Sequence, residues 1–115
     1  MLETDAGNIC GAIPVCKYLC RSAKKLYASG SPLDNALVDQ WVNWACTTLM
    51  PNLDQVMLGV YGHEVYDSSW KEALKELKSN VKTIDNALER GKGWLVADQM
   101  TLADVVLSIA LTQGF

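Results

Sequence analysis

The stretch that decides the fold runs from Trp94 to Val106 and reads WLVADQMTLADVV. It opens as a buried segment, passes through a short polar turn and ends in the start of an apolar helix. Thr101 suits the N-cap of that helix. Its side-chain oxygen can accept a hydrogen bond from the Asp104 N–H, while the Asp104 carboxylate accepts one from the Thr101 N–H. The sequence therefore predicts a capping box of Thr101 and Asp104, and a structural rather than catalytic role for Asp104.

The helix that follows Thr101 is apolar on nearly every side, which predicts a central position in the fold. Met100 before the cap and Val105 after it are placed to form a hydrophobic staple. The other predicted helices are too few to cover all of this apolar surface. The residues concerned are Leu102, Val106, Ile109 and Leu111. An uncovered patch of this kind favours self-association or partner binding.

The rest of the chain predicts one hairpin and further helices, separated by turn residues. In order, these are a hairpin around Asp5–Gly7, a helix over Gly11–Arg21, a polar connector over Ser22–Gly30, a helix that begins at Pro32 and is bent or ended by Pro51, a continuation over Asn52–Val60, and a helix from Asp67 to about Glu89. The charged residues of the last helix cover one of its faces. They are most simply a solvated surface, with a partner-specific patch as the alternative.

Helical spacing also predicts which side chains are buried. In the first helix they are Ile13, Cys16, Leu19 and Cys20. In the second they are Leu33, Leu37, Trp41, Trp44, Ala45 and Leu49. In the third they are Ala73, Leu77, Val81, Ile84 and Leu88. The tryptophans are accordingly expected to pack between helices rather than to stack on nucleotides.

The composition of the 115-residue chain limits the functional classes. Half of the residues are hydrophobic and a fifth are charged, as in a packed domain rather than a disordered chain. The net charge of -3, without a basic block, gives no electrostatic signal for nucleic-acid binding. The longest apolar run, which follows Thr101, is too short to cross a bilayer.

The four cysteines are Cys10, Cys16, Cys20 and Cys46. They lack the paired spacings of a metal site, and the single histidine, His63, is distant in sequence. We expect buried, reduced thiols in a reducing compartment. Two disulfides, or a redox role for Cys10 at a helix N-terminus, are the alternatives. His63 and Glu64 are neighbours on a predicted loop, where two side chains rarely face one target, so no acid–base pair is assigned.

WLVADQMTLADVVL resembles the start of the central helix in the C-terminal domain of the glutathione transferase superfamily, which usually has Gly at the position of Ala97. LETDAGNICGAIPVCKYL resembles the last hairpin and helix of the thioredoxin-like domain. VDQWVNW resembles the translation-associated members, namely the gamma subunit of elongation factor 1 and domains appended to aminoacyl-tRNA synthetases. The resemblance implies a mainly α fold. Residues 1–28 would be a remnant of the thioredoxin-like domain, and residues 29–115 a C-terminal-like helical domain, apparently truncated.

The resemblance also bears on activity. Superfamily enzymes hold glutathione with a Glu-Ser or Gln-Ser pair at a helix start, and this pair reads Ile9-Cys10 here. Cys10 and Gly11 therefore mark a degenerate remnant of the glutathione site, which has mainly backbone N–H groups to offer. No catalytic residue, metal ligand or cofactor is assigned.

These observations together favour a non-catalytic protein-interaction and assembly module of the translation machinery, located in the cytoplasm. The expected partner is another glutathione transferase-like domain, in a homodimer or heterodimer, or a translation factor or synthetase. Contact is expected through the helix Gly11–Arg21 and the helix that begins at Pro32. The alternative is a fragment of a glutathione-dependent transferase, in which case glutathione would be the cofactor.

Overall fold

The computed structural model describes residues 1–27, 31–62 and 67–114. The elements are strands β1 (Leu2–Thr4) and β2 (Gly7–Ile9), helices α1 (Ala12–Ala23) and α2 (Pro32–Trp44), a π-helical turn (Ala45–Leu49), and helices α3 (Met50–Val60), α4 (Ser68–Arg90) and α5 (Leu102–Thr112). The predicted mainly α fold is confirmed.

The chain opens with a two-stranded antiparallel hairpin. Leu2 pairs with Ile9, and Thr4 pairs with Gly7 across the turn Asp5–Ala6. Helix α1 begins directly after the hairpin and has no fully buried residue. Ile13, Cys16 and Cys20 form its packed face. Leu19 does not join them, as it is 50% exposed. It lies about 60° to 120° around the helix from the other three, which fall within about 60° of one another.

Helix α2, the π-helical turn and α3 form one continuous helical rod. The Ser31 Oγ accepts a hydrogen bond from the Asp34 N–H at 3.3 Å, which caps the rod as the sequence predicts. Pro51 does not end it. The chain widens just before this proline, and the Met50 N–H bonds to the Ala45 carbonyl five residues back. A proline ring crowds the carbonyl four residues earlier, so a wider turn at this point lets the helix continue.

Helix α4 packs beside α3 through polar as well as apolar contacts. Asp67 caps it by accepting from the Trp70 N–H at 3.0 Å. The Trp70 indole N–H donates to the Val56 carbonyl at 3.0 Å, and its ring lies where a Cβ on Gly59 would be. Any side chain at Gly59 would therefore displace Trp70.

The core is formed mainly by the α2 rod and α5. The rod contributes Val38, Val42, Ala45 and Leu49, at spacings of four, three and four residues. Helix α5 contributes Leu102, Ala103, Val106, Leu107 and Ala110. The central position predicted for α5 is confirmed. The expectation that Leu102, Val106, Ile109 and Leu111 are not all covered is confirmed, because Ile109 is 56% exposed, although Leu102 and Val106 are buried.

Two other predicted core positions are exposed. Leu33 is 68% exposed because it lies in the first turn of α2, ahead of the buried stripe that starts at Val38. Val81 is 42% exposed. Helix α4 has 23 residues and its neighbour α3 only 11, so α3 cannot cover the whole apolar stripe of α4.

The predicted polar connector is partly wrong. Ser22 and Ala23 belong to α1, and the helix ends at Lys24 in the left-handed conformation. Tyr27 is buried and Leu26 packs against the core, so the connector docks on the helical domain. The remaining connector residues, and with them the predicted domain boundary between residues 28 and 29, lie outside the described residues.

Candidate functional site

The start of α1 is the place where the sequence predicts a glutathione-site remnant. Cys10 is exposed, and Gly11 is the N-cap residue with a φ of 93°. No side chain caps this helix. The positive φ suits glycine, and an added Cβ would lie 3.3 Å from the Pro14 ring. The position therefore presents backbone N–H groups of the first turn, and no carboxylate or hydroxyl group to orient an amino-acid ligand.

The thiols divide into one exposed and three half-buried groups. Cys16, Cys20 and Cys46 pack against the core, whereas the expectation of burial was wrong for Cys10. Burial raises the pKa of the Cys20 thiol, and the nearby Cys16 raises it further. A raised pKa keeps Cys20 as the unreactive thiol at neutral pH, which fits a packing role.

A polar cluster around Asp39 joins α1, the connector and α2. One carboxylate oxygen of Asp39 accepts from the Tyr27 hydroxyl at 2.6 Å and from the Lys17 ammonium at 2.9 Å. The other oxygen lies 3.5 Å from the Arg21 guanidinium. Arg21 also lies over the Tyr27 ring, 5.1 Å from its centroid. A single carboxylate thus holds groups from three segments of the chain.

The pKa values in this cluster follow from these contacts. Burial acts to raise the pKa of Asp39, but the hydrogen bond from Tyr27, the hydrogen bond and charge of Lys17, and the charge of Arg21 outweigh it. The pKa of Asp39 is therefore below its usual value. Burial, followed by the hydrogen bond to Asp39 and the charge of that carboxylate, raises the pKa of Tyr27 well above its usual value. Asp39 is ionised and Tyr27 neutral at physiological pH.

The same connector also reaches the start of α5. The Leu26 carbonyl accepts from the Leu102 N–H at 2.7 Å, and this N–H belongs to the first turn of α5. First-turn N–H groups have no partner inside their own helix, so the bond satisfies one of them. Leu26 adopts a φ of 62°, in the left-handed region that leucine rarely occupies. The connector conformation is therefore set by its docking rather than by local preference.

At the start of α5, three donors converge on the Asp104 carboxylate. One oxygen accepts from the Thr101 N–H at 2.8 Å and from the Thr101 hydroxyl at 3.0 Å. The other accepts from the Leu95 N–H at 3.0 Å. Thr101 itself is fully buried. The capping box of Thr101 and Asp104 therefore also fixes the preceding turn, which the sequence alone did not indicate.

A groove of about 310 Å³ runs beside this capping box. Its walls come from the C-terminal half of α4, from the turn before α5 and from α5 itself. Met100 and Val105, the predicted staple pair, both line it. Trp94 also lines it and is 37% exposed, so the prediction of a buried segment was wrong at this tryptophan. Trp41 and Trp44 instead pack edge to face, 5.5 Å apart.

The described part of the chain contains neither a candidate metal site nor a candidate membrane-spanning helix. Within residues 1–27, 31–62 and 67–114, no three His, Cys, Asp or Glu side chains are grouped so that they could hold a metal ion. In the same residues, no helix combines the length and apolarity needed to span a bilayer. His63 and Glu64 lie outside the described residues.

The comparison with protein families decides the classification. The family described as glutathione S-transferase, C-terminal domain, matches residues 38–115, which is most of the chain. The chain belongs to this family. The match starts within α2, so the assignment of residues 1–28 to a thioredoxin-like remnant stays a prediction. No solved structure matches the chain significantly.

Curated relatives of this family member are elongation factor subunits. Elongation factor 1-gamma 1 of Oryza sativa subsp. japonica is 28% identical over 118 aligned residues, covering all of this chain and 28% of the relative. Elongation factor 1-gamma 3 of the same organism is 26% identical, with the same coverage. The chain thus spans less than a third of the length of these relatives. Its sequence therefore resembles one part of these elongation factor 1-gamma chains.

The Asp39 cluster is the polar feature of this family member that the sequence did not reveal. Lys17 and Arg21 are four residues apart on α1, which places them on one face, and this was the available signal. Their partner could not be identified from spacing, because Asp39 is 22 residues beyond Lys17 and lies on another helix.

Proposed function

We propose that this chain is a non-catalytic protein-interaction and assembly module of the translation machinery, working in the cytoplasm. The similarity to elongation factor 1-gamma over the whole chain carries the proposal. The family fold hosts enzymes and non-enzymes alike, and the fold alone would not decide between them.

The start of α1 supports a non-catalytic role. Ile9 has no polar side-chain atom, and Cys10 has only a weak donor in place of a serine hydroxyl. The helix has no side-chain cap that could double as a ligand group. Glutathione would then meet backbone N–H groups alone, which give little orientation to its reacting thiol.

The exposed surface of α1 and α2 supports the interaction role. Tyr18 and Leu19 on α1 are 42% and 50% exposed, and Leu33 at the start of α2 is 68% exposed. Large apolar side chains on neighbouring elements suit an interface better than an isolated surface. We propose that this α1–α2 surface binds another glutathione transferase-like domain, either a second copy or a domain of a translation factor or synthetase.

Sedimentation velocity tests this interaction. The wild-type chain is measured at micromolar concentration alone, and then with purified elongation factor 1 subunits and synthetases that carry such domains. The variant Tyr18→Lys with Leu33→Lys should lose the complex. The variant Val81→Lys, which places a charge at a half-exposed apolar site on α4, is the control and should keep it. A wild-type chain that stays monomeric with every partner would disprove the interaction role.

A conjugation assay tests the alternative function. With glutathione and a standard aromatic electrophile, the chain should not exceed the non-enzymatic rate, because α1 offers no group that orients glutathione. Conjugation well above that rate would instead support the fragment of a glutathione-dependent transferase. Retention on immobilised glutathione, released by free glutathione, would point the same way.

A further inference from the structure

Helix α4 carries its four lysines in a single row. Its 23 residues span about 34 Å. The lysine row consists of Lys71, Lys75, Lys78 and Lys82, at spacings of four, three and four residues. At about 100° per residue, these side chains lie within about 60° of one another around the helix and extend over about 16 Å. All four are exposed, and the buried residues of α4 face away from them.

None of these lysines is paired within the described residues. The ion pairs found there join Lys17 and Arg21 to Asp39, and Lys92 to Asp98. Helix α4 has acidic residues of its own, but Glu72 and Glu76 form a separate row beside the lysines. No Lys–Glu pair on α4 comes within 4 Å.

This separation of charges works against the stability of the helix itself. Lys71 and Lys75, Lys78 and Lys82, and Glu72 and Glu76 are all like charges four residues apart. Like charges at this spacing destabilise a helix, whereas alternating Glu and Lys at the same spacing stabilise it and keep it soluble. Two opposite-charge pairs three residues apart, Glu72 with Lys75 and Lys82 with Asp85, offset only part of this repulsion, since neither pair comes within 4 Å. A local rule that is broken without gain inside the chain points to a binding role.

We propose that the lysine row is a docking surface for an acidic helical segment of a partner protein. A helix with Asp or Glu at spacings of four, three and four residues presents carboxylates at the same rise as the lysines. Each ammonium can then meet one carboxylate, and the like-charge repulsion along α4 is relieved in the complex. This surface lies on a different helix from the α1–α2 surface, so the inference goes beyond the proposed function and is tested separately.

The charges around the row favour protein over nucleic acid. The row is one lysine wide, with Glu72 and Glu76 along one side and Asp85 near its C-terminal end. A nucleic-acid backbone that covered the row would also bring its phosphates close to these carboxylates, which repel them. The chain as a whole carries a net charge of -3, which adds to this repulsion. Nucleic-acid surfaces are usually broader basic patches. A partner helix with a single line of acidic side chains matches the width of the lysine row.

The experiment is an NMR titration of the full chain with a synthetic alanine-based helical peptide. The peptide carries Glu at spacings of four, three and four residues, and a scrambled peptide has the same composition. We expect amide shift changes confined to residues 71–82, and affinity that falls as ionic strength rises. The scrambled peptide should bind several-fold more weakly.

Two variants with the same net charge separate the row from general attraction. The row variant combines Lys71→Gln, Lys75→Gln, Lys78→Gln and Lys82→Gln. The control variant combines Lys24→Gln, Lys25→Gln, Arg90→Gln and Lys92→Gln, all exposed cations elsewhere. The row variant should bind the peptide about tenfold or more weakly, since four exposed pairs are lost. The control should change affinity by less than about threefold, because only screened, distant charges are removed.

Circular dichroism checks the fold of both variants, and the row variant should melt no lower than the wild type because its repulsion is relieved. Equal losses of affinity in the two variants, or equal binding of the scrambled peptide, would overturn the proposal. So would a failure of the wild type to bind the peptide at low ionic strength. A single-stranded oligonucleotide that binds more tightly than the peptide through the same row would assign the surface to nucleic acid instead.

Discussion

Helices α1 and α5 are both attached to the α2 rod, but they differ in how much of the attachment is buried and how much is ionic. Helix α5 has five buried residues, among them Leu102 and Leu107, and a capping carboxylate with three donors. Helix α1 has no fully buried residue and is tied down by Asp39, which is itself about one-third exposed. The first attachment is hydrophobic and fully buried, whereas the second combines the half-buried contacts of Ile13, Cys16 and Cys20 with a part-exposed ionic cluster.

The difference predicts two levels of stability within one small chain. Burial of apolar surface is not weakened by charge screening, whereas a part-exposed ion cluster weakens as salt rises and as its carboxylate is protonated. Helix α1 and its hairpin should therefore open at a lower free energy than the unit formed by α2 and α5. An interaction surface on α1 would be adjustable by conditions that leave the rest folded.

The largest effect is expected at the shared core. Leu49 is fully buried in the π-helical turn, and Leu49→Ala should lower the free energy of unfolding by about 2–5 kcal/mol. Both attachments depend on this core, so α1 and α5 should be lost together in urea unfolding. The matched control is Leu33→Ala, at the exposed start of α2, with a change of about 0.5 kcal/mol or less. Equal losses of unfolding free energy at the two leucines would mean that Leu49 is not a core residue.

The next effect concerns the cap of α5. Asp104→Ala should cost about 1–2 kcal/mol, because it leaves three donors without their acceptor. Thr101→Ala should cost about 1 kcal/mol. Because the two groups share one set of hydrogen bonds, the double variant should lose less than the sum. Thermal unfolding of the four proteins gives the coupling, and strict additivity would contradict a shared box.

The helix caps are the part of the fold that sequence predicts best. Ser31 and Asp67 cap their helices as expected, because a cap depends on residues three positions apart. At the start of α5 the Asp104 carboxylate accepts from the Thr101 N–H as expected, and it also accepts from the Thr101 hydroxyl. The buried face of α2 is harder. Apolar residues occur on several sides of that helix, and periodicity alone favoured Leu33 over Val38.

The candidate site was only partly predictable for a related reason. Cys10 and Gly11 could be placed at a helix start from local sequence, but their exposure depends on what covers that end. The Asp39 cluster unites residues from three segments, and the spacing of Lys17 and Arg21 on one helix does not indicate their partner on another. The burial of Tyr27 likewise depends on tertiary docking of a connector that is polar by composition.

A smaller effect should separate the two attachments. Asp39→Asn should cost about 1 kcal/mol, a modest value because the cluster is partly exposed. Hydrogen exchange should quicken in α1 and leave α5 almost unchanged. The matched control is Asp34→Asn, at the start of the same helix α2 and in no ion pair of the described residues. Equal acceleration in α1 and α5 would remove the distinction between them.

The same carboxylate gives a pH test. The pKa of Asp39 is lowered in the folded state, so its contribution is present above the unfolded value of about 3.9 and is lost as pH falls through the folded value. The wild-type α1 should therefore become more open in acid below about pH 4. In Asp39→Asn this part of the pH dependence should be absent. A wild type and variant with the same acid profile would show that other carboxylates control α1.

The smallest effects should be stabilising. They are expected on substitution of a residue in the left-handed conformation, one at the end of α1 and one in the turn before α5. Ala97 has a φ of 58° in the turn before α5, and Lys24 has a φ of 52° at the end of α1. Glycine accepts these conformations without strain but has more freedom to lose on folding, so the two effects largely offset. Ala97→Gly should raise the global free energy of unfolding by about 0.5 kcal/mol, since the turn it relaxes is held by the α5 cap. Lys24→Gly should instead slow only the local opening of α1, measured by hydrogen exchange, because α1 opens before the core does. If Lys24→Gly raised global stability as much as Ala97→Gly, α1 would belong to the same cooperative unit as α5.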